Sequence, residues 1–156
     1  MSIKHAFESA KADGADATLV RPSNWNAEHV TNLSKITWKD VSANALVDEG
    51  RTTALDWTDL DLTSFTSVYA KFALLLLRFH PSVAGTAGDS SLDIRKNGTT
   101  PSQYNHIKIA YVEGKWAYRR LFVIQGLDAG RIIEYKITPA TGATVNSYID
   151  VLGYIE

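Results

Sequence analysis

Three carboxylates, Asp56, Asp59 and Asp61, fall close together in the stretch DWTDLDL. A hard cation such as calcium is held by several carboxylate and carbonyl oxygens, so the spacing invites a metal reading. Leu60 and Leu62 alternate with Asp59 and Asp61, however, as the buried and solvated faces of a strand do, and no glycine-turn loop with further ligands follows. No metal is expected there. The histidines His5, His29, His80 and His106 are scattered, with no pair at a ligand spacing and none beside a carboxylate that would orient it as a base. The segment GTAGDSS lacks the strand-turn-helix context that would make a nucleophile of Ser90 or Ser91, and it reads as part of an exposed, mobile loop, Ser82 to Ser90. The glycines form neither a dinucleotide fingerprint nor a phosphate-binding loop. No catalytic residue and no cofactor are expected, and the chain does not read as an enzyme. A glycan hydrolase would need two carboxylates about 5 to 10 Å apart in a cleft, and three acids on one short segment suit that poorly.

Two binding chemistries have residues to work with. Arg119 and Arg120 are interleaved with Trp116, Tyr118 and Phe122, like a platform for single-stranded nucleic acid. Adjacent strand residues point to opposite faces, so the two arginines do not make one patch, and no nucleic-acid partner is expected. Exposed aromatics on a β-sandwich can stack on the apolar face of a sugar, and Trp57, Tyr104 and Trp116 are the candidates for such a glycan site.

These residues must be positioned by elements built around Tyr69 to Phe79, YAKFALLLLRF, the most apolar run of the chain. It is too short to cross a bilayer, which takes about 20 apolar residues, so no membrane span is expected from it. As a strand it is apolar on both faces, which suits a central strand covered on both sides. Ala, Leu, Lys and Arg also favour helix, and Lys71 and Arg78 lie two turns apart, so a helix is the rival. The strand is favoured because the C-terminal half reads as β throughout. Ile36 to Val41 could hold a strand followed by a turn, Thr52 to Trp57 forms a short strand, His80-Pro81 ends the central strand, and Ser91 to Lys96 gives another, closed by Asn97-Gly98. Tyr104 to Val112 turns at Glu113-Gly114 into Lys115 to Gln125 as the clearest hairpin, and Arg131 to Ile137 and Val145 to Ile155 continue an antiparallel meander. The expected fold is all-β, an antiparallel β-sandwich, with a jelly roll among the arrangements that fit and an extended N-terminal arm. The expected core includes Phe72, Leu74, Leu76, Ile109, Leu121, Val123, Ile133 and Val151.

The chain has 156 residues, 45% apolar and 21% charged, with a formal net charge of −1. That length fits one domain plus an appendage, and the charge gives no pull toward nucleic acid or anionic membrane. With no cysteine, stability must come from packing or assembly. The N-terminal MSIKHAFESAKADGAD has no apolar stretch after its lysine, so neither a signal peptide nor a membrane anchor is expected in it. Residues 1–35 form the arm and 36–156 the sandwich. The arm holds only scattered anchors, Phe7, Leu19, Val20 and Trp25, too few for a core of its own, whereas ordering each residue costs about 1 to 2 kcal/mol in backbone entropy. Trp25, in the turn-like cluster RPSNWN, either packs on its own domain or anchors another subunit.

The run AKADGADATLVRPSNWNAEH resembles a segment near the N-termini of structural proteins of tailed bacteriophages and prophages, matching at Lys11, Asp13, Gly14, Asp16, Thr18, Val20, Pro22, Ser23, Asn24, Trp25, Asn26 and His29. The C-terminal part, with WTDLDLTSFTS, a long apolar strand and the ending SYIDVLGYIE, is similar in pattern to β-sandwich modules of phage appendages. The resemblance implies a non-enzymatic virion component, made in the host cytoplasm, on the tail, neck or head. It would attach through its arm to other virion proteins or to further copies of itself, with Leu19, Val20, Pro22, Trp25, Asn26 and His29 as partner-binding residues. The alternative is a carbohydrate-binding module that contributes to recognition of a host-surface glycan.

Overall fold

The computed structural model describes residues 2–3, 29–30, 35–100, 104–110 and 117–156, and among them there are ten strands and no helix. The chain divides into two units, Met1–Ser34 and Lys35–Glu156. In the first, β1 (Ser2–Ile3) pairs antiparallel with β2 (His29–Val30). The arm residues Leu19, Val20, Pro22, Trp25 and Asn26 lie outside the described residues, as does Trp116.

The second unit consists of β3 (Ile36–Arg51), β4 (Leu55–Asp61), β5 (Phe72–Val83), β6 (Asp89–Lys96), β7 (Tyr104–Ala110), β8 (Arg119–Gly126), β9 (Ile132–Thr138) and β10 (Thr144–Ile155). They form two four-stranded antiparallel sheets, ordered β3-β10-β5-β8 and β4-β9-β6-β7. The fold is a β-sandwich. From β7 onward successive strands alternate between the sheets, and this interleaving of eight strands is the double Greek key of a jelly roll.

That order corrects the expected hairpin and meander. β7 pairs with β6 and β8 with β5, in opposite sheets. A crossing from sheet to sheet and a hairpin show the same alternation and the same turn residues, so local pattern does not separate them. The apolar run is a strand, as favoured, but it occupies Phe72–Val83 and leaves Tyr69 exposed ahead of it. His80-Pro81 does not end it. β8 pairs only as far as Phe79, so beyond that point β5 has β10 alone as neighbour, an edge position where a proline's missing donor is tolerated. β3 is one long strand held by β10 through several bulges, with no turn after Val41. Ser90 and Ser91 belong to β6 and not to a loop. The Ser90 hydroxyl accepts the Ala140 N–H at 2.9 Å. Residues 84–88 are tied to the β9–β10 connection by Thr86 N–H to Thr141 O at 2.7 Å and Thr141 N–H to Ala87 O at 3.0 Å.

The core lies between the sheets. β5 contributes Ala73, Leu75, Leu77 and Phe79, each fully buried, against Leu92, Ile94, Ile133 and Ile137 of the second sheet. Of the expected core, Ile109, Val123, Ile133 and Val151 are in it and Leu121 packs at its margin. Leu74 is buried as expected, at 2% exposure, but it shares the opposite face of β5 with Phe72 and Leu76, of which Leu76 is half-buried and Phe72 is 45% exposed. When both faces of a strand are apolar, nothing in the alternation says which one turns inward.

Candidate functional site

The face of the first sheet that turns away from the core carries apolar residues where a solvated face would carry polar ones. Register partners share a face, so each row across the four strands can be read from β3 to β8. The rows run Ile36–Ile155–Phe72–Gly126, then Trp38–Gly153–Leu74–Ile124, then Asn44–Asp150–Leu76–Phe122, then Val47–Tyr148–Arg78–Arg120. Two rows are wholly apolar and a third is half so. Trp38 is 60% exposed, Ile124 54% and Phe122 48%, all in the middle of paired strands and not on loops. Gly153 has a steric reason: a Cβ there would collide with the Thr37 carbonyl, so the close approach of β3 to β10 excludes any side chain.

The fourth row turns the face polar through planar groups that cover one another. The Arg78 guanidinium donates to Asp150 at 2.7 and 2.9 Å and lies 4.5 Å from the centre of the Tyr148 ring. His80 stacks between Tyr118, at 5.2 Å, and Tyr148, at 6.1 Å, and Arg120 lies 5.0 Å over Tyr118. Tyr148 donates its hydroxyl to Glu49 at 2.5 Å, and this bond, with burial, pushes its pKa up to about 12. Burial raises the Tyr118 pKa, but hydrogen bonds from Arg120 and Arg78 outweigh it and leave the phenol below its ordinary value. Tyr148 therefore stays protonated at neutral pH, and its donor is already used.

The outer face of the second sheet is built in the opposite way. Arg95 donates to both oxygens of Glu134, at 2.8 and 3.0 Å, and its guanidinium lies 4.0 Å over the Trp57 ring. Arg95 holds the Glu134 carboxyl below its ordinary range. Lys136 pairs with Asp56 at 3.1 Å, Lys108 with Asp89 at 2.5 Å, and Ser91 donates to Asp93 at 2.8 Å. Burial raises the Asp93 pKa. Most charges on this face have a cross-strand or local partner; Asp59, in register with Glu134, is exposed and without an ion pair among the described residues.

The residues singled out from sequence are not brought together. Asp56, Asp59 and Asp61 lie along β4, where Asp56 accepts from Lys136 and Asp61 from the Thr63 N–H, and among the described residues no three acidic or histidine side chains are grouped as a metal would need. Of the glycan candidates, Trp57 on β4 is half-buried and already holds Arg95 on one ring face, whereas β7, with Tyr104, is the opposite edge of that sheet. His29 is in β2, opposite Ile3. Sequence reasoning singled out Arg120, Tyr118 and Phe122 only as a nucleic-acid platform and missed Trp38, Glu49, Tyr148 and Arg78 as site residues, although the two-sided apolarity of the β5 sequence was the signal for the face they sit on.

A comparison with protein-family models finds no match, and none of the curated proteins matches the sequence.

Proposed function

We propose that this protein is a non-enzymatic structural component of a bacteriophage particle, and that its sandwich is held in the assembly by another protein subunit covering the outer face of β3-β10-β5-β8. The observation that carries the assembly role is the exposure of Trp38, Phe72, Phe122 and Ile124 on one sheet face. Several large apolar side chains left in water on one sheet face are the mark of an interaction surface. The likeness of Lys11 to His29 to phage structural proteins supports the particle, and the arm supplies a second attachment with Trp25 as its anchor. The sugar-binding alternative has less support, since the Trp57 ring and the Tyr118–His80–Tyr148 stack have ring faces already occupied within the chain. The test is incorporation of the full chain into particles, comparing the native protein with Phe72→Ser/Ile124→Ser and with Trp25→Ala. Loss of incorporation with an unchanged thermal melt is expected for the first, and a severalfold loss for the second. Normal incorporation of the double variant would remove the face from the account.

A further inference from the structure

We infer that the subunit covering this face is a second copy of the same chain, packed face to face about a two-fold axis that runs along the strands. The inference rests on the reading of the face as a docking surface and adds the identity and geometry of the occupant.

Two sheets stacked face to face by a two-fold axis in their common plane have two simple choices. An axis across the strands at the middle of the four rows sends the Ile36 row onto the Arg78–Arg120 row, apolar against charged, and one placed between the two apolar rows leaves the other two rows outside the overlap. An axis along the strands keeps each row at its own level and exchanges the edges, setting β3 of one copy over β8 of the other. The apolar rows then meet apolar rows, with Trp38 over the partner's Ile124. At the polar end the same operation sets Val47 at the level of Arg120 on β8 of the other copy, with Glu49, which accepts from Tyr148 through Oε1, two residues beyond Val47 on β3. Two residues along a strand is about 7 Å, within the reach of an arginine side chain. A surface that is self-complementary in this sense is what a two-fold interface requires. Charge complementarity favours a second copy over an unrelated partner, because the acid and the base are both on this chain and do not meet within it. β3 and β8 are the two edges of the sheet, three strand spacings or about 14 Å apart, and among the described residues Arg120 has no ion pair.

The experiment is sedimentation velocity of the full chain over a range of concentrations, with Glu49→Arg, Arg120→Glu, and an equimolar mixture of the two single variants. The native chain is expected to form a dimer. Each single variant sets like charges together twice per dimer, and its association is expected to weaken by about tenfold or more. In the mixture, a heterodimer places the two introduced residues opposite each other on one side and the native Glu49 and Arg120 on the other, so association should return to near the native level. A variant that had merely misfolded would not be restored by mixing. A monomeric or trimeric native chain, single variants that associate normally, or a mixture no stronger than its components would each overturn the inference. If homo-association fails and Phe72→Ser/Ile124→Ser still loses incorporation into particles, the second copy is excluded while the docking face stands.

Discussion

The two outer faces of this sandwich, made by the same chain with the same pleat, are finished in different ways. On β4-β9-β6-β7 charged side chains point into water and several pair across adjacent strands, Arg95 with Glu134 and Lys136 with Asp56, so the face is polar. On β3-β10-β5-β8, Trp38, Phe72, Phe122 and Ile124 lie open, and the buried Asp150 carboxylate and Arg78 sit at the border of the apolar rows. A face whose polar groups answer one another needs no partner. Apolar side chains left in water, as on β3, β5 and β8 here, forgo about 25 cal/mol per Å² that covering them would supply. On the proposed function, the difference would give the sheets separate tasks, one toward solvent and the other toward an assembly.

The sharpest way to break this contrast uses a single strand. Leu77→Ala empties a core position of β5 and is expected to lower stability by about 2 to 5 kcal/mol. Phe72→Ala, on the other face of the same strand, should change the melt of the unassembled chain by far less and instead weaken association. Equal losses of stability would mean that the outer face is a core in its own right. Asp150→Ala leaves the half-buried Arg78 without its acid and should cost about 1.5 to 3 kcal/mol in chemical denaturation. A loss near zero would show that the pair is solvated and that the border is not part of the covered area.

On the second sheet, Glu134→Gln tests whether the charged face supports itself. The folded-state pKa of Glu134 is lowered, chiefly by the Arg95 hydrogen bond. Its contribution is therefore present above the unfolded value of about 4.3 and fades as pH falls through the folded value. The variant should lose about 1 kcal/mol at pH 7 and match the native chain near pH 2. A difference that persists at that pH would assign the loss to packing. The smallest effect concerns the inner side of the first sheet, where the Ser147 hydroxyl is fully buried with no hydrogen-bond partner. Ser147→Ala should raise stability by about 1 kcal/mol, measured by denaturant midpoint, because it removes an unsatisfied polar group from the core.

How much of this was legible in the sequence depended on whether the information was local. The all-β class, the strand nature of the apolar run and the turn at Asn97-Gly98 follow from alternation and turn chemistry, and they are found. Strand pairing was not legible, since β7 and β8 read as a hairpin but enter opposite sheets. The facing of β5 was hidden for a related reason. Phe72, Leu74 and Leu76 are as apolar as Leu75, Leu77 and Phe79, so the pattern announced that both sides would be covered without saying by what. The second sheet covers one side. The polar border escaped notice because Glu49, Arg78, Arg120 and Tyr148 come from four separate strands and meet on one face only through the sheet order. Asp56, Asp59 and Asp61, by contrast, stood out because they are close in sequence, and the fold spreads them along β4.

The most direct test of the central claim is hydroxyl-radical footprinting read by mass spectrometry on both faces, comparing dilute unassembled chain with the assembled form, oligomer or particle. Trp38, Phe72 and Phe122 should lose most of their reactivity on assembly, while His106 on the outer face of the second sheet keeps its own. Unchanged labelling of Trp38, Phe72 and Phe122, or protection that falls on His106 instead, would contradict the assignment of the first sheet to the interface.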